Sequence, residues 1–318
     1  MSESKKEELI INDIGSVQRE FYRTYDPDYW LYKIQLLTST HDNFDKLKGD
    51  LAEDFKDFSD EDFKRMLRTE LHFLYYQMTE TLFEIIFALM QHDNWDLWLA
   101  LTFSNDSKTK YYSRTYSKIE ELVYASVKPW TGKKQPLKMR GEDTEIPMLR
   151  WIFYFSYPSK MDSGQWDKNL EIIEHLLISF ARDFSDKGEY NAYKHSLRFH
   201  NTSFAAAISS IGMKQVKVNL GGSKDSVVIL ERHKKRNSEG EVVLTNQIAR
   251  TIKPFDFERD QNCCLLIHAL LSNIILTRKY TLLNELHGKK FDFFTFNNIQ
   301  FPQIIIPKTG ITRHSFTV

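Results

Sequence analysis

Between residues 8 and 57 apolar side chains recur at helical spacing: Ile14, Val17 and Phe21, then Tyr29, Trp30, Tyr32, Ile34 and Leu36. Asp26-Pro27 interrupts the pattern, and the residue before a proline is steered away from helix, so two helices are expected with a break there. Ser59 followed by Asp60, Glu61 and Asp62 is a start signal: a hydroxyl to cap the first turn and acids to suit its dipole. The helix it opens is expected from about Glu61 to His92. Leu67, Leu71, Phe73, Leu74, Tyr75, Tyr76, Met78, Leu82, Phe83, Ile85, Ile86, Phe87 and Leu89 leave it apolar on almost every side, the mark of a central helix. One polar stripe remains, with Glu70, Gln77, Glu84 and Gln91 seven apart and Glu80 and Thr81 beside them. It is expected to meet water along a narrow strip, because glutamate is rarely buried alone. The alternative is that the stripe faces a polar interior site, where Glu84 would pair with Arg198 or Lys194 and orient that basic face.

Further helices are expected at Trp95–Phe103, Ser117–Ser126, Trp166–Phe184, Glu189 to about Ile211 and Arg259–Leu286, with Gly288 as a stop. Trp151–Phe155 reads as a short helix or strand. Residues 127–147 hold two glycines and three prolines among mixed charges, and are read as a surface loop within one body. After Gly212 the period shortens: Val216 and Val218 alternate with lysines, Ser226–Glu231 is β-branched, and Ser238-Glu239-Gly240 turns into Val242–Thr245. A small antiparallel β insertion at about 214–256 follows. Phe291–Ile306 is aromatic and β-branched, so 289–318 is read as a β-rich tail. The expected architecture is mainly α: one domain over 1–318, a bundle of roughly six to nine helices with that insertion and tail.

Composition narrows the picture. Gly and Pro number only 12 and 8 in 318 residues, against a chain built from many tight turns, while 14% of the residues are aromatic. Lys plus Arg equal Asp plus Glu at 43 each, which excludes a wholesale polycation but leaves room for a local basic patch. The two cysteines, Cys263 and Cys264, are neighbours and cannot staple distant segments, which points to a reducing, cytoplasmic setting. The most apolar run, Cys263 to Thr277, contains His268 and Asn273 and falls short of the roughly 20 residues a membrane span needs. A soluble protein with no membrane partner is expected.

Candidate chemistry concentrates in Glu189–His200. Placed on a helix at about 100° per residue, Tyr190, Tyr193, Leu197, Phe204, Ile208 and Ile211 form a core face. Asn191, His195, Arg198 and Thr202 fall opposite, with Lys194 at the margin. An imidazole can move a proton near neutral pH, Arg and Lys neutralise phosphate, and an amide can orient a substrate. Together they suit metal-independent RNA cleavage, with His195 as base or acid, Arg198 and Lys194 as phosphate stabilisers and Asn191 as positioner. No cofactor is needed.

Asn191-Ala192-Tyr193-Lys194-His195 resembles the polar-residue-plus-histidine signature of HEPN-like helical proteins. In that family an arginine precedes the polar residue; here Arg182 lies 13 positions before His195 and Arg198 follows it. The resemblance implies a ribonuclease of defence or toxin type, and a homodimer in which two His195 faces meet in one composite site.

Other features give less. Arg232, Lys234, Lys235 and Arg236 cluster near the expected hairpin tip, where basic β-ribbons can track a phosphate backbone, although solvated basic tips are common. Glu171, Glu174 and His175 lack the paired Glu-x-x-His of a di-iron bundle. Cys264 and His268 lie one turn apart without a second cysteine cluster, so no zinc site is expected. Gly221-Gly222 has neither phosphate-loop nor dinucleotide spacing. The alternative to an RNA-directed protein is a non-catalytic helical module whose aromatic surfaces bind a partner or a second copy.

Overall fold

A computed structural model describes residues 14–48, 59–90, 134–139, 142–155, 163–185, 193, 199–202, 225–236, 242–283, 290–297 and 310–317. Most of them are helical, so the protein is mainly α.

Helices α1 (Ile14–Thr24) and α2 (Asp28–Asp42) meet at the expected Asp26-Pro27 break. Pro27 caps α2 with φ near −61°, and the Asp26 carboxylate accepts from the Asp28 N–H at 3.0 Å. The short α3 (Phe44–Leu47) follows. Helix α4 (Asp60–Leu89) starts where its cap signal lies: the Ser59 hydroxyl accepts from the Asp62 N–H at 3.1 Å. The acid completes the exchange with that same hydroxyl, Ser59 Oγ donating to Asp62 Oδ2 at 2.5 Å. The Ser59 bond, helped by Arg65, holds the Asp62 carboxyl below its usual range.

From Leu71 to Ala88, α4 is buried everywhere except at Gln77, Glu80, Thr81 and Glu84. The polar stripe is therefore the strip that reaches water, as its spacing predicts; Gln91 and His92 lie outside the described residues. Around α4 pack α2, α6 (Ser163–Ser185) and α7 (Phe257–Arg278), with α5 (Met148–Tyr154) against α6 and α7. The expected start of α7 moves back two residues because Asp256 is its cap, accepting from the Arg259 N–H at 3.0 Å. A π-helical stretch, Lys279–Leu283, continues from its end. Phe83, Ile86, Phe180, Ile173, Ile267 and Leu270 are among the fully buried members of the shared core. Each such side chain contributes roughly 1.5–3 kcal/mol.

Among the described residues, three antiparallel sheets accompany the helices. Residues 134–147, read as loop, form a hairpin of β1 (Lys134–Met139) and β2 (Glu142–Pro147), with Lys134 opposite Pro147. The loop expectation failed because proline did not keep the segment out of a ladder: Pro136 lies within β1 opposite Glu145, and Pro147 closes the ladder opposite Lys134. A three-stranded sheet has the order β3 (Phe199–Thr202), β4 (Ser226–Arg236), β5 (Val242–Pro254). Its first strand corrects the helix expected from Glu189 to Ile211: Phe199 pairs with Ile229 and Thr202 with Ser226. Local helical period there yields to the open edge of β4, which supplies ladder partners no sequence window contains. Val216, Val218 and Gly221-Gly222 lie outside the described residues.

Strands β6 (Lys290–Asn297) and β7 (Gly310–Thr317) pair antiparallel. The helical body holds β6 by side-chain mimicry of a strand. Asn273 of α7 donates to the Phe294 carbonyl at 2.7 Å and accepts from its N–H at 2.9 Å. Asn169 of α6 accepts from the Phe296 N–H at 2.8 Å, and the Tyr154 hydroxyl donates to Phe294 O at 2.8 Å. Asn273 thus interrupts the apolar run of α7 in order to saturate a buried strand edge. No helix among the described residues is long and apolar enough to cross a membrane.

Candidate functional site

The residues nominated by the sequence separate into three groups. Asn191, Lys194, His195 and Arg198 lie outside the described residues. Their neighbour Tyr193 is described, and it sits where the core face predicts: its ring stacks on Phe73 of α4, centroids 3.9 Å apart, and its hydroxyl donates to Glu70 at 3.1 Å. Partial burial, with the Glu70 charge beside it, pushes the Tyr193 phenol up to about 12. Thr202, expected on the same helical side as His195, is in β3 instead, so a single helical face cannot extend that far. Arg198 directly precedes the first residue of β3.

Arg232, Lys234, Lys235 and Arg236 occupy the end of β4. They are ladder residues beside the turn rather than the turn itself: Arg236 is opposite Val242 and Lys234 opposite Leu244. Glu84 is half-buried on the stripe of α4 and is engaged by a partner.

A second constellation, which sequence reasoning missed, lies where α4, α6 and α7 meet. His72 Nδ1 is 2.6 Å from Asp260 Oδ2, with both side chains buried. The His72 ring stacks on Phe255 at 4.6 Å. Asp260 Oδ1 accepts from Arg259 at 3.4 Å, Arg259 also pairs with Asp183, and the Tyr75 hydroxyl donates to Asp183 at 2.6 Å. Burial opposes the charge on Arg259, yet Cys263, Tyr75 and Asp183 outweigh it and raise its pKa. Burial drives the Tyr75 phenol and both the Cys263 and Cys264 thiols well up, so neither cysteine is a ready nucleophile. A third cluster closes the entrance to β4: Arg68 forks onto Asp225 at 2.7 and 2.8 Å and reaches Glu61 at 2.6 Å. It also donates to His41 Nε2 at 3.2 Å, so the His41 proton sits on Nδ1, 3.0 Å from Asp42. With most of its donors used, Arg68 is a clamp rather than an anion receptor.

His268, Ser272 and Asp28 hold the residue types of a hydrolytic triad but not its geometry. Asp28 and Ser272 both approach Nε2, at 2.9 and 3.3 Å, whereas a relay needs the carboxylate on the other ring nitrogen. Among the described residues no group of three or more His, Cys, Asp and Glu is placed to hold a metal ion. Known protein families, curated proteins and solved structures offer no match to this chain.

The only sequence signal for the buried network was negative. His72 and Thr79 are polar residues on the apolar side of a central helix, and a buried polar group must find a partner. The partners lie 188 residues away for His72 and 157 for Arg68, beyond any local pattern.

Proposed function

We propose that this chain is an RNA-directed protein, in keeping with its HEPN-like resemblance, and that residues 191–198 carry metal-independent cleavage. The observation that supports an anionic polymer as target is the distribution of charge on the β4–β5 hairpin. The chain is neutral overall, yet the stretch 230–250 holds Arg232, Lys234, Lys235, Arg236 and Arg250 against Glu231, Glu239 and Glu241, with four of the cations gathered at the end of β4. Such a concentration attracts phosphate. Tyr193 ties one end of the candidate catalytic stretch to α4, and its other end runs into β3, which pairs with β4. The catalytic candidates and the basic hairpin are thereby joined by chain and ladder.

In this reading His195 takes or gives the 2′-hydroxyl proton, Arg198 and Lys194 neutralise the phosphate, and Asn191 orients it. Incubating a mixed RNA pool with the full chain in EDTA tests the chemistry. Wild type is expected to cleave and His195→Ala to lose cleavage while keeping its fold; undiminished cleavage by that variant overturns the assignment.

A second reading is favoured by α2, on which Tyr29, Tyr32 and Leu36 stand 52%, 63% and 68% exposed on one helical side. That side would serve self-association, making the chain an oligomerising module.

A further inference from the structure

Tyr193 is the one described residue within 191–198, and α4 holds it in two ways. Its ring lies flat on Phe73, centroids 3.9 Å apart and planes 11° from parallel, and Phe73 is itself buried in the core. Its hydroxyl donates to Glu70 Oε2 at 3.1 Å, a hydrogen bond strengthened by the acceptor's charge. A flat stack resists separation of the rings but not sliding. The bond to Glu70, three residues away on the same side of α4, fixes the direction in which the tyrosine lies. The chain is held again at Phe199–Thr202, where β3 pairs with β4. Asp225, which leads into β4, is gripped by Arg68 of α4. Both anchorages therefore trace back to residues 68–73 of one helix. Six peptide steps separate Tyr193 from Phe199, a reach of about 20 Å at full extension, and Lys194, His195 and Arg198 are all carried on that span.

We infer that Glu70 and Tyr193 are positioning residues of the candidate RNA-cleaving site: their phenol–carboxylate bond tethers the segment that carries Asn191, Lys194, His195 and Arg198 to α4. This deepens the RNA reading above and rests on it. The Cα of Lys194 is about 3.8 Å from that of Tyr193, and His195 is one peptide further on, so any shift of the tyrosine is passed to both. Misplacing a catalytic group by about 1 Å costs on the order of 100-fold in rate, which is why such groups need a fixed support. A bond between side chains that are both only half-buried is a small part of the stability of a core this size, and its larger effect is on where the segment sits. The α4 carboxylate bonded to Tyr193 is Glu70. Glu84, which the sequence put forward for that service, stands 14 residues on, about 21 Å further along the helix axis.

The test is steady-state cleavage of a labelled RNA oligonucleotide by the full chain in EDTA, with three variants beside wild type. Tyr193→Phe keeps the ring on Phe73 and loses the donor. Glu70→Ala loses the acceptor, whereas Glu70→Gln keeps an oxygen to which the phenol can donate. Tyr193→Phe and Glu70→Ala are each expected to lower kcat roughly 10- to 100-fold with little change in KM, since what they disturb is the geometry of the reacting groups. Glu70→Gln should recover most of that rate. The combined Tyr193→Phe/Glu70→Ala variant should be no slower than either alone, because both remove the same bond. Undiminished kcat in Tyr193→Phe, a change confined to KM, or a Glu70→Gln variant as slow as Glu70→Ala overturns the tether and leaves the RNA reading standing. So does a loss of rate matched by a loss of helical circular dichroism, which would make the bond a matter of folding alone. If wild type cleaves no RNA, or His195→Ala cleaves as fast as wild type, the reading of the site falls and the tether with it.

Discussion

At the scale of single residues, Tyr193 is the informative one. Its ring is committed to Phe73 and its hydroxyl to Glu70, and ionising it would set a phenolate beside a carboxylate. The folded phenol holds its proton up to about pH 12, against 10.0 for an unperturbed tyrosine. A group whose pKa is raised by folding contributes stability that is complete below its unfolded pKa and is lost as pH rises through the folded one. The protein should therefore begin to lose this contribution above about pH 10. Near-ultraviolet titration of wild type minus Tyr193→Phe is expected to show a midpoint near 12; a midpoint at the ordinary tyrosine value would mean that the Glu70 contact is not maintained in solution. Tyr193 was legible from helical spacing as a core-face residue. Glu70 as its acceptor was not, because the stripe of α4 and the Glu189–His200 stretch show no mutual pattern until they meet in space.

Between elements, the clamp of α4 on α7 deserves a direct test of magnitude. Asp260 is 1% exposed and receives both His72 and Arg259. Removing one partner of a buried pair strands the other groups without a counter-charge, a larger effect than losing the pair itself. Asp260→Ala is expected to destabilise the fold by about 3 kcal/mol, read as a lower denaturant midpoint with an unchanged slope. A loss under about 0.5 kcal/mol would show the network to be dispensable. The elements themselves were read well where the signal was local. Ser59, Asp26-Pro27 and the seven-residue stripe each mark what the structure shows, because caps, prolines and helix faces act within a turn or two. Reading failed at β1–β2, expected as loop, and at β3, expected as helix, because each became a strand through the edge that lay within reach.

For the molecule as a whole, the central arrangement is a helix buried on nearly every side, wrapped by α2, α6 and α7 and flanked by antiparallel sheets. α2 gives Trp30, Ile34 and Thr38 to the interior and leaves Tyr29, Tyr32 and Leu36 outside, with Lys33 Nζ 4.8 Å above the Tyr29 ring. If that side joins two copies, sedimentation velocity at micromolar concentration will find wild type as a dimer and Tyr32→Glu/Leu36→Glu as a monomer. Equal masses for the two would remove self-association through α2. The cations at the end of β4 were visible in the sequence as a charge cluster, but their place in a ladder, with Arg236 opposite Val242 and Lys234 opposite Leu244, required the pairing of β4 with β5.

The amino-acid sequence by itself determined the mainly helical character, the position and capping of α4, the break before α2, the strip of α4 left to water, and the cations at the end of β4. All of these follow from neighbours within a few residues, through periodicity, proline geometry, side-chain capping and charge. The tertiary structure decided the rest: that His72 meets Asp260, that Arg68 meets Asp225, that Asn273 pairs with a strand, and that Phe199–Thr202 is a strand. Those outcomes depend on which distant groups become buried together, and a buried polar atom or an open strand edge takes the partner that packing brings to it.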